Sequence, residues 1–273
     1  MRGTVVTVVQ ARTASTRLPG KVLLPLGGTT VLERMLERVT RARLVGTVVV
    51  ATTRAPEDDP IVTHCLIKDV ACYRGDPTDL LDRHYQAARA LGAEHVVKIP
   101  SDCVLIDPAV IDRVIGAYLA RGNRYDYVSN LHPPTYPDGN DVEVCRFDAL
   151  ETAWRLAARP LEREHTTPFL WDKPGAFRLG NVTWGSGRDA SMTHRVVLDY
   201  ADDYRVISRL FDALHPRNPA FGVADIVRYL DDHPEVRAIN ARYRGVNWYR
   251  HHLGELRTVE SSDTRLPPEE RPR

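Results

Sequence analysis

Arg12, Arg17 and Lys21 lie within ten residues of one another, directly after a β-branched run, in the stretch QARTASTRLPGK of residues 10–21. Guanidinium groups donate paired hydrogen bonds that match phosphate oxygens. A lysine adds a compact point charge that can follow negative charge building on an α-phosphate as it is displaced. The small residues between them let backbone N–H groups approach an anion closely. A plain solvated cationic loop is the competing reading. Against it, only four of the 37 basic residues are lysines, namely Lys21, Lys68, Lys98 and Lys173, so an ammonium here departs from the chain's habit. The loop matches neither G-x-x-x-x-G-K-[ST] nor G-x-G-x-x-G. Phosphate bound here is bound by a different architecture.

Triphosphate chemistry needs Mg²⁺, which takes one or two carboxylates together with phosphate oxygens and water. Asp102 falls just past a predicted strand end in KIPSDCVLIDP, and Asp199 sits at another in RVVLDYADD. Asp107, before Pro108, reads as a helix cap, and Asp202 and Asp203 as first-turn residues of the next helix. A third group lies in an irregular middle stretch. There Asp138, Asn140, Asp141, Glu143, Glu164 and His165 offer hydroxyl-binding and acid–base groups, suited to a sugar-like ligand or to a subunit interface. His165 reads equally as a general base or as a satisfied structural histidine beside Glu164.

These residues need a scaffold. Residues 4–9 and 47–51 are apolar without alternation, the pattern of strands buried on both faces of a parallel sheet. Between them Val31, Leu32, Met35, Leu36 and Val39 recur at helical spacing with charges opposite, which makes a right-handed β-loop-α-β unit. The spacing goes on to predict a helix over 60–66, a strand over 71–73, a helix over 79–91, a strand over 95–99 and a helix over 108–119. Regularity fails over 131–187, where helices are expected near 149–157 and 163–171. A returning strand over 195–198 and helices over 202–214, 223–230 and 234–243 follow. The expected fold is α/β, an open, mostly parallel, doubly wound, three-layer Rossmann-like sheet. Residues 1–257 form one domain, 131–187 an inserted excursion, and 258–273, charged and Pro-rich, a disordered tail. Such sheets bind ligands at the carboxyl ends of their strands, so the loops after Val9, Ala51, Tyr73 and Ile99 should converge on one cleft.

A formal net charge of +1 with no basic block argues against a nucleic-acid partner held by phosphate neutralisation. No run approaches 18 apolar residues, so no membrane span is expected, and Met1-Arg2-Gly3 enters the first strand without a signal-peptide core. Cys65, Cys72, Cys103 and Cys145 are scattered, which suits a reduced, cytoplasmic protein without structural zinc.

The loop 11–21 resembles the signature of nucleotide-sugar cytidylyltransferases, including those that activate 3-deoxy-manno-octulosonate and N-acylneuraminate. The remaining motifs are most similar to the spore-coat polysaccharide cytidylyltransferase family. They are Tyr73-Arg74-Gly75 with Asp79-Leu80-Leu81-Asp82-Arg83-His84-Tyr85, Ser101-Asp102-Cys103 with Leu105-Ile106-Asp107-Pro108, and Tyr136-Pro137-Asp138-Gly139 with Asp141-Val142-Glu143-Val144. Glu162-Arg163-Glu164-His165-Thr166-Thr167-Pro168, Leu198-Asp199 with Asp203-Tyr204, and His233-Pro234-Glu235 with Ile239-Asn240 complete the set. The resemblance spans residues 4–245 and implies a nucleotide-diphospho-sugar transferase-like fold.

It implies that Ala11, Arg12, Ser15, Arg17, Lys21, Arg74, Asp79 and Ser101 bind the nucleotide, that Lys21, Arg17 and Asp102 are catalytic, and that Asp102 and Asp199 hold Mg²⁺. Asp138, Asn140, Glu143, Glu164 and His165 would meet the acceptor. Arg83 either joins the nucleotide or pairs with Asp79 or Asp82 on its own helix face. Pro100, Ser101, Val104 and Asn140 depart from the family's usual residues, which touches base and acceptor choice rather than the phosphate site. The implied activity is Mg²⁺-dependent transfer of a nucleotidyl group, CMP from CTP, to an acceptor oxygen of an acidic sugar or small polar metabolite, with pyrophosphate released. A homodimer would use the excursion as its interface. The alternatives are an A-type glycosyltransferase, disfavoured because Ser101-Asp102-Cys103 is not Asp-x-Asp, and a non-catalytic nucleotide-binding subunit, disfavoured because Lys21, Asp102 and Asp199 are all present.

Overall fold

The β-branched runs that carry no polar face become the centre of the sheet in a computed structural model, which describes residues 3–120 and 124–270. The first two residues of the expected domain and the last three of the expected tail lie outside the described residues. In chain order the strands are β1 (Val5–Gln10), β2 (Pro25–Leu26), β3 (Thr29–Thr30), β4 (Thr47–Thr53), β5 (Ala71–Gly75), β6 (His95–Pro100), β7 (Tyr127–Ser129), β8 (Glu143–Arg146) and β9 (Leu179–Asn181). The helices are α1 (Val31–Arg41), α2 (Asp59–Ile67), α3 (Leu80–Ala90), α4 (Pro108–Leu119), α5 (Phe147–Leu156), α6 (Pro160–His165), α7 (Pro168–Trp171), α8 (Ala201–Leu214), α9 (Val223–Asp232) and α10 (Pro234–Ala238). The main sheet has seven strands in the order β5-β4-β1-β6-β8-β7-β9. β5, β4, β1 and β6 are parallel; β8 runs antiparallel to β6 and to β7.

Helices cover both faces. Val9, Val97 and Ile99 pack with Leu32, Met35 and Val39 of α1 and Ile111, Val114 and Ile115 of α4. Val6, Val8 and Val96 point the other way, onto Leu81 and Ala88 of α3 and Leu150 and Ala153 of α5. This is the doubly wound, mostly parallel architecture that the sequence predicts. Asp107 caps α4, its side chain accepting from Ala109 N at 2.8 Å, and also takes Val223 N at 2.8 Å.

Three expectations need correction. The strand over 195–198 reduces to one bridge, Asp138 with Arg195; the segment stays extended because Val196 N donates to Asp138 O (2.8 Å) and Leu198 N to Asp102 O (2.9 Å). The excursion is less irregular than its prolines suggest, since β8 inserts between β6 and β7. Residues 258–270 are not a free tail. Thr258 N donates to Asp172 Oδ1 (3.0 Å), Arg265 N to Gly245 O (2.7 Å), and Arg250 pairs with Glu270 at 3.0 Å. Their anchoring is polar, which a count of hydrophobic residues does not register.

Candidate active site

The basic loop begins where β1 ends and is fastened by a residue that sequence reading overlooked. The buried Asp58 carboxylate accepts from Thr13 N (2.8 Å) and Thr13 Oγ1 (2.7 Å), and from Thr53 N (3.2 Å) and Thr53 Oγ1 (2.5 Å) at the end of β4. Burial alone would raise this carboxyl, but the hydrogen bonds, led by that of Thr53, hold it below its ordinary value. Thr13 O then takes Ser15 N and Gly20 N, closing the loop. Gly20 is left-handed (φ 68°), which turns the chain so that Lys21 opens a single 3₁₀ turn facing inward.

Lys21 Nζ donates to Leu198 O (2.7 Å), Asp199 Oδ1 (3.1 Å) and Asp102 Oδ2 (3.2 Å). All three ammonium protons are therefore used, and the two carboxylates separated by 97 positions in the sequence meet on one atom. Burial pulls the Lys21 pKa down, but Asp102 and Asp199 together lift it above the ordinary value, so the group is charged. Arg17 Nη2 adds a 2.7 Å contact to Asp199 Oδ1. Asp199 is held well below the carboxylate range: burial works against this, and Lys21, Arg17 and Arg195 overcome it.

Arg195 is the hub behind them. It grips Asp203 with Nε–Oδ1 and Nη2–Oδ2, both 2.9 Å, reaches Asp138 Oδ2 with Nη1 (2.8 Å) and Asp199 Oδ2 with Nη2 (3.3 Å). Asp203 also accepts from Asp199 N and Tyr200 N, so it does more than begin a helix. Gly139 (φ 106°) lets the Asp138 segment approach, because a Cβ there would stand 2.6 Å from Val197 N. A cationic residue heading an otherwise apolar run was the available signal for Arg195.

A cavity of about 360 Å³ opens in front of this cluster. Ala11, Arg12, Ser15, Arg17, Lys21, Ser101, Asp102, Asp138, Glu143, Glu164, His165 and Asp199 all line it. Three expected residues do not. Arg74 donates to Thr53 O and Ala55 O, both 2.9 Å, and pairs with Asp59 at 2.7 Å. Asp79 caps α3 and holds Arg163. Asn140 is buried and locks its own loop, accepting from Asp107 N at 3.2 Å. Arg83, by contrast, lines the cavity and pairs with neither Asp79 nor Asp82. It is 3% exposed, and its Nε and Nη1 have no hydrogen-bond partner among the described residues; neither has Gln10 Oε1, on the same wall. Burial, with help from Arg12, lowers the Arg83 pKa to about 10.

On the acceptor side Glu143 is buried between Lys98 and Tyr127 Oη (2.6 Å). His165 stacks on Trp248 with centroids 3.6 Å apart, and burial lowers its pKa to about 3. Burial thus keeps this ring neutral, stacked against the indole. Asp138 is pushed up to about 7 by burial, against the pull of Arg195. Val246, Asn247, Trp248 and Arg250 also line the cavity; no motif announced them. The two carboxylates Asp102 and Asp199 offer the hard oxygen donors that suit Mg²⁺ alongside phosphate oxygens, whereas no group of three acidic, histidine or cysteine residues among the described residues forms a complete metal cage. No helix among them is long and apolar enough to cross a membrane.

The family profile described as cytidylyltransferase matches residues 6–221. The spore coat polysaccharide biosynthesis protein SpsF of Bacillus subtilis is 28% identical over 233 residues, 84% of this chain and 94% of its own. A 3-deoxy-manno-octulosonate cytidylyltransferase of Geobacter sulfurreducens is 38% identical over 204 residues, 72% of this chain and 76% of its own. Among solved structures, a cytidylyltransferase from Leptospira borgpetersenii superposes with a TM-score of 0.80 at 29% identity, covering 86% of this chain and 96% of its own.

Proposed function

This chain belongs to the cytidylyltransferase family and is a nucleotidyltransferase, and from that premise we propose that it transfers CMP from CTP to a hydroxyl of a small acceptor, an acidic sugar or another polar metabolite, releasing pyrophosphate with Mg²⁺ as cofactor. The observation that carries the reading is the meeting of Lys21 with Asp102 and Asp199 at the mouth of the arginine-bearing loop. The relative from Geobacter sulfurreducens is described as acting on 3-deoxy-manno-octulosonate, which supports a sugar acid as one acceptor class.

Arg12, Ser15 and Arg17 bind and orient the triphosphate. Lys21, exchanging its contact with Asp102 for a triphosphate oxygen, donates to the α-phosphate, where charge builds as the acceptor oxygen bonds to phosphorus and the bond to the β-phosphate bridging oxygen breaks. Asp102 and Asp199 would hold Mg²⁺, which neutralises phosphate charge. Arg195 fixes Asp199 and Asp138 in place. Arg83 and Gln10 present unsatisfied donor and acceptor groups to the nucleoside, offsetting the absence of an N–H at Pro100. Asp138, with a pKa near neutrality, takes the acceptor hydroxyl's proton. Pyrophosphate release from CTP in the presence of candidate acceptors tests the proposal; turnover of a ready-made nucleotide sugar without pyrophosphate would overturn it.

A further inference from the structure

Behind the main cavity, and sharing Lys98, Asp138, Asp141, Glu143, His165 and Trp248 with it, lies a smaller chamber of about 90 Å³. At ~30 Å³ per water it has room for about three waters, or one branched head group of a few heavy atoms. Its far wall is aromatic. Trp171 and Trp248 meet at 61° with centroids 6.3 Å apart, Trp248 and Tyr249 at 72° and 5.5 Å, and His132 lies tilted at 31° to Trp171 with centroids 4.2 Å apart.

One acidic group around this chamber has no partner among the described residues. Lys98 is committed to Glu143, and Arg195 to Asp138. Burial keeps His132 and His165 neutral, at about 4 and about 3. Asp141 lines both spaces, and no hydrogen bond or ion pair of its carboxylate is found among the described residues. Burial and the neighbouring Asp138, Asp102 and Glu143 raise the Asp141 carboxyl well above its ordinary value, so this group lacks a counter-charge that an entering cation would supply and an anion would not. A divalent metal finds no set of three ligands. Aromatic walls with an unpaired carboxylate are instead the chemistry that holds ammonium groups. Of the aromatic residues, Trp248 and Tyr249 lie beyond residue 221, where the family profile ends, whereas His132 and Trp171 lie within it. The segment 258–270 braces the wall: Asn247 N donates to Thr264 Oγ1 (3.1 Å), and Asn247 Nδ2 and Tyr249 Oη donate to Asp263 O (3.1 and 3.3 Å).

We propose that this chamber receives an organic ammonium group, primary to quaternary, carried by the acceptor whose hydroxyl is cytidylylated in the adjoining cavity. The identification of its ligand as the acceptor rests on the nucleotidyl-transfer reading above.

The test uses choline as probe and 3,3-dimethylbutan-1-ol as its uncharged twin, titrated into the full chain and followed by tryptophan fluorescence, with CTP binding measured on the same samples. Choline should saturate, and the neutral alcohol should bind at least about tenfold more weakly, as cation–π and ion pairing require. Asp141→Asn should remove most of that preference, and Trp248→Ala should weaken choline by about tenfold, both with melting temperatures near wild type. Equal binding of the two probes, or CTP binding without any saturable choline signal, overturns the proposal. Choline preference in a chain that fails to bind CTP supports the chamber as an ammonium site and removes the transfer reading instead.

Discussion

Arg195 holds Asp199 from behind, its Nη2 3.3 Å from Asp199 Oδ2, while the other carboxylate oxygen faces Lys21 at 3.1 Å. The side chain of Arg195 is 1% exposed and that of Asp203 is wholly buried. Removing the guanidinium strands Asp203 and Asp138 without a counter-charge. We expect Arg195→Ala to destabilise the fold by about 3–5 kcal/mol, read by denaturant unfolding. Arg195→Lys should also fall short of wild type, because one ammonium cannot reproduce the two-pronged grip. Unchanged unfolding midpoints would contradict the hub.

Lys21→Ala should lower kcat by about 10²–10³ with circular dichroism unchanged. Lys21→Arg should not restore it, since the three acceptors at 2.7–3.2 Å surround a point charge rather than a planar fork. Rescue by arginine would show that only charge matters here.

Chelation should abolish turnover, and Mg²⁺ should restore it. Asp102→Asn and Asp199→Asn should each raise the Mg²⁺ concentration giving half-maximal rate. A rate indifferent to EDTA removes both residues from metal binding.

Much of the scaffold was legible because its cause is local. The apolar runs at β1, β4 and β6 read as doubly buried strands, and Lys21 and Asp102 lie in the loops that follow β1 and β6, whereas Asp199 follows an extended segment with a single bridge. What was not legible depends on pairings between distant residues. Arg74 and Asp79 fit a motif, yet Asp59 and Arg163 hold them outside the cavity. Asn140 looked like a ligand group because its partners, Asp107 and Pro137, are invisible in sequence. Asp58, Arg195 and the wall at 247–249 matter through contacts that span tens of positions, to Thr13, Asp138 and His165 respectively, and composition made the bracing segment 258–270 look solvated.

Arg83 gives an opposing pair of effects. Its unpartnered buried nitrogens weaken the empty protein, and in the proposed reading they meet the nucleotide. We expect Arg83→Met to raise the melting temperature while weakening CTP binding by about ten- to a hundredfold, the worth of a hydrogen bond to a charged group. Loss of stability without loss of CTP affinity would make Arg83 purely structural.

The Asp138 carboxyl, raised to about 7, sets the pH dependence. Protonated, it cannot accept the acceptor's proton, so kcat/KM should fall as pH drops below about 7 and level off above it. Asp138→Asn should remove that limb and lower kcat by about 10²–10⁴. A limb that survives the substitution belongs to another group, and His165, at about 3, lies too low to supply it.

Pyrophosphate release from CTP and Mg²⁺, followed across pools of hydroxylated small molecules with wild-type and Lys21→Ala protein side by side, tests the central claim most directly. We expect at least one pool, with amino alcohols among those supplied, to yield pyrophosphate in step with a CMP-linked product, CTP to be preferred over other nucleoside triphosphates, and Lys21→Ala to run about 10²–10³ more slowly. A chain that binds no CTP and releases no pyrophosphate in any pool, or a Lys21→Ala variant that keeps pace with wild type, contradicts it.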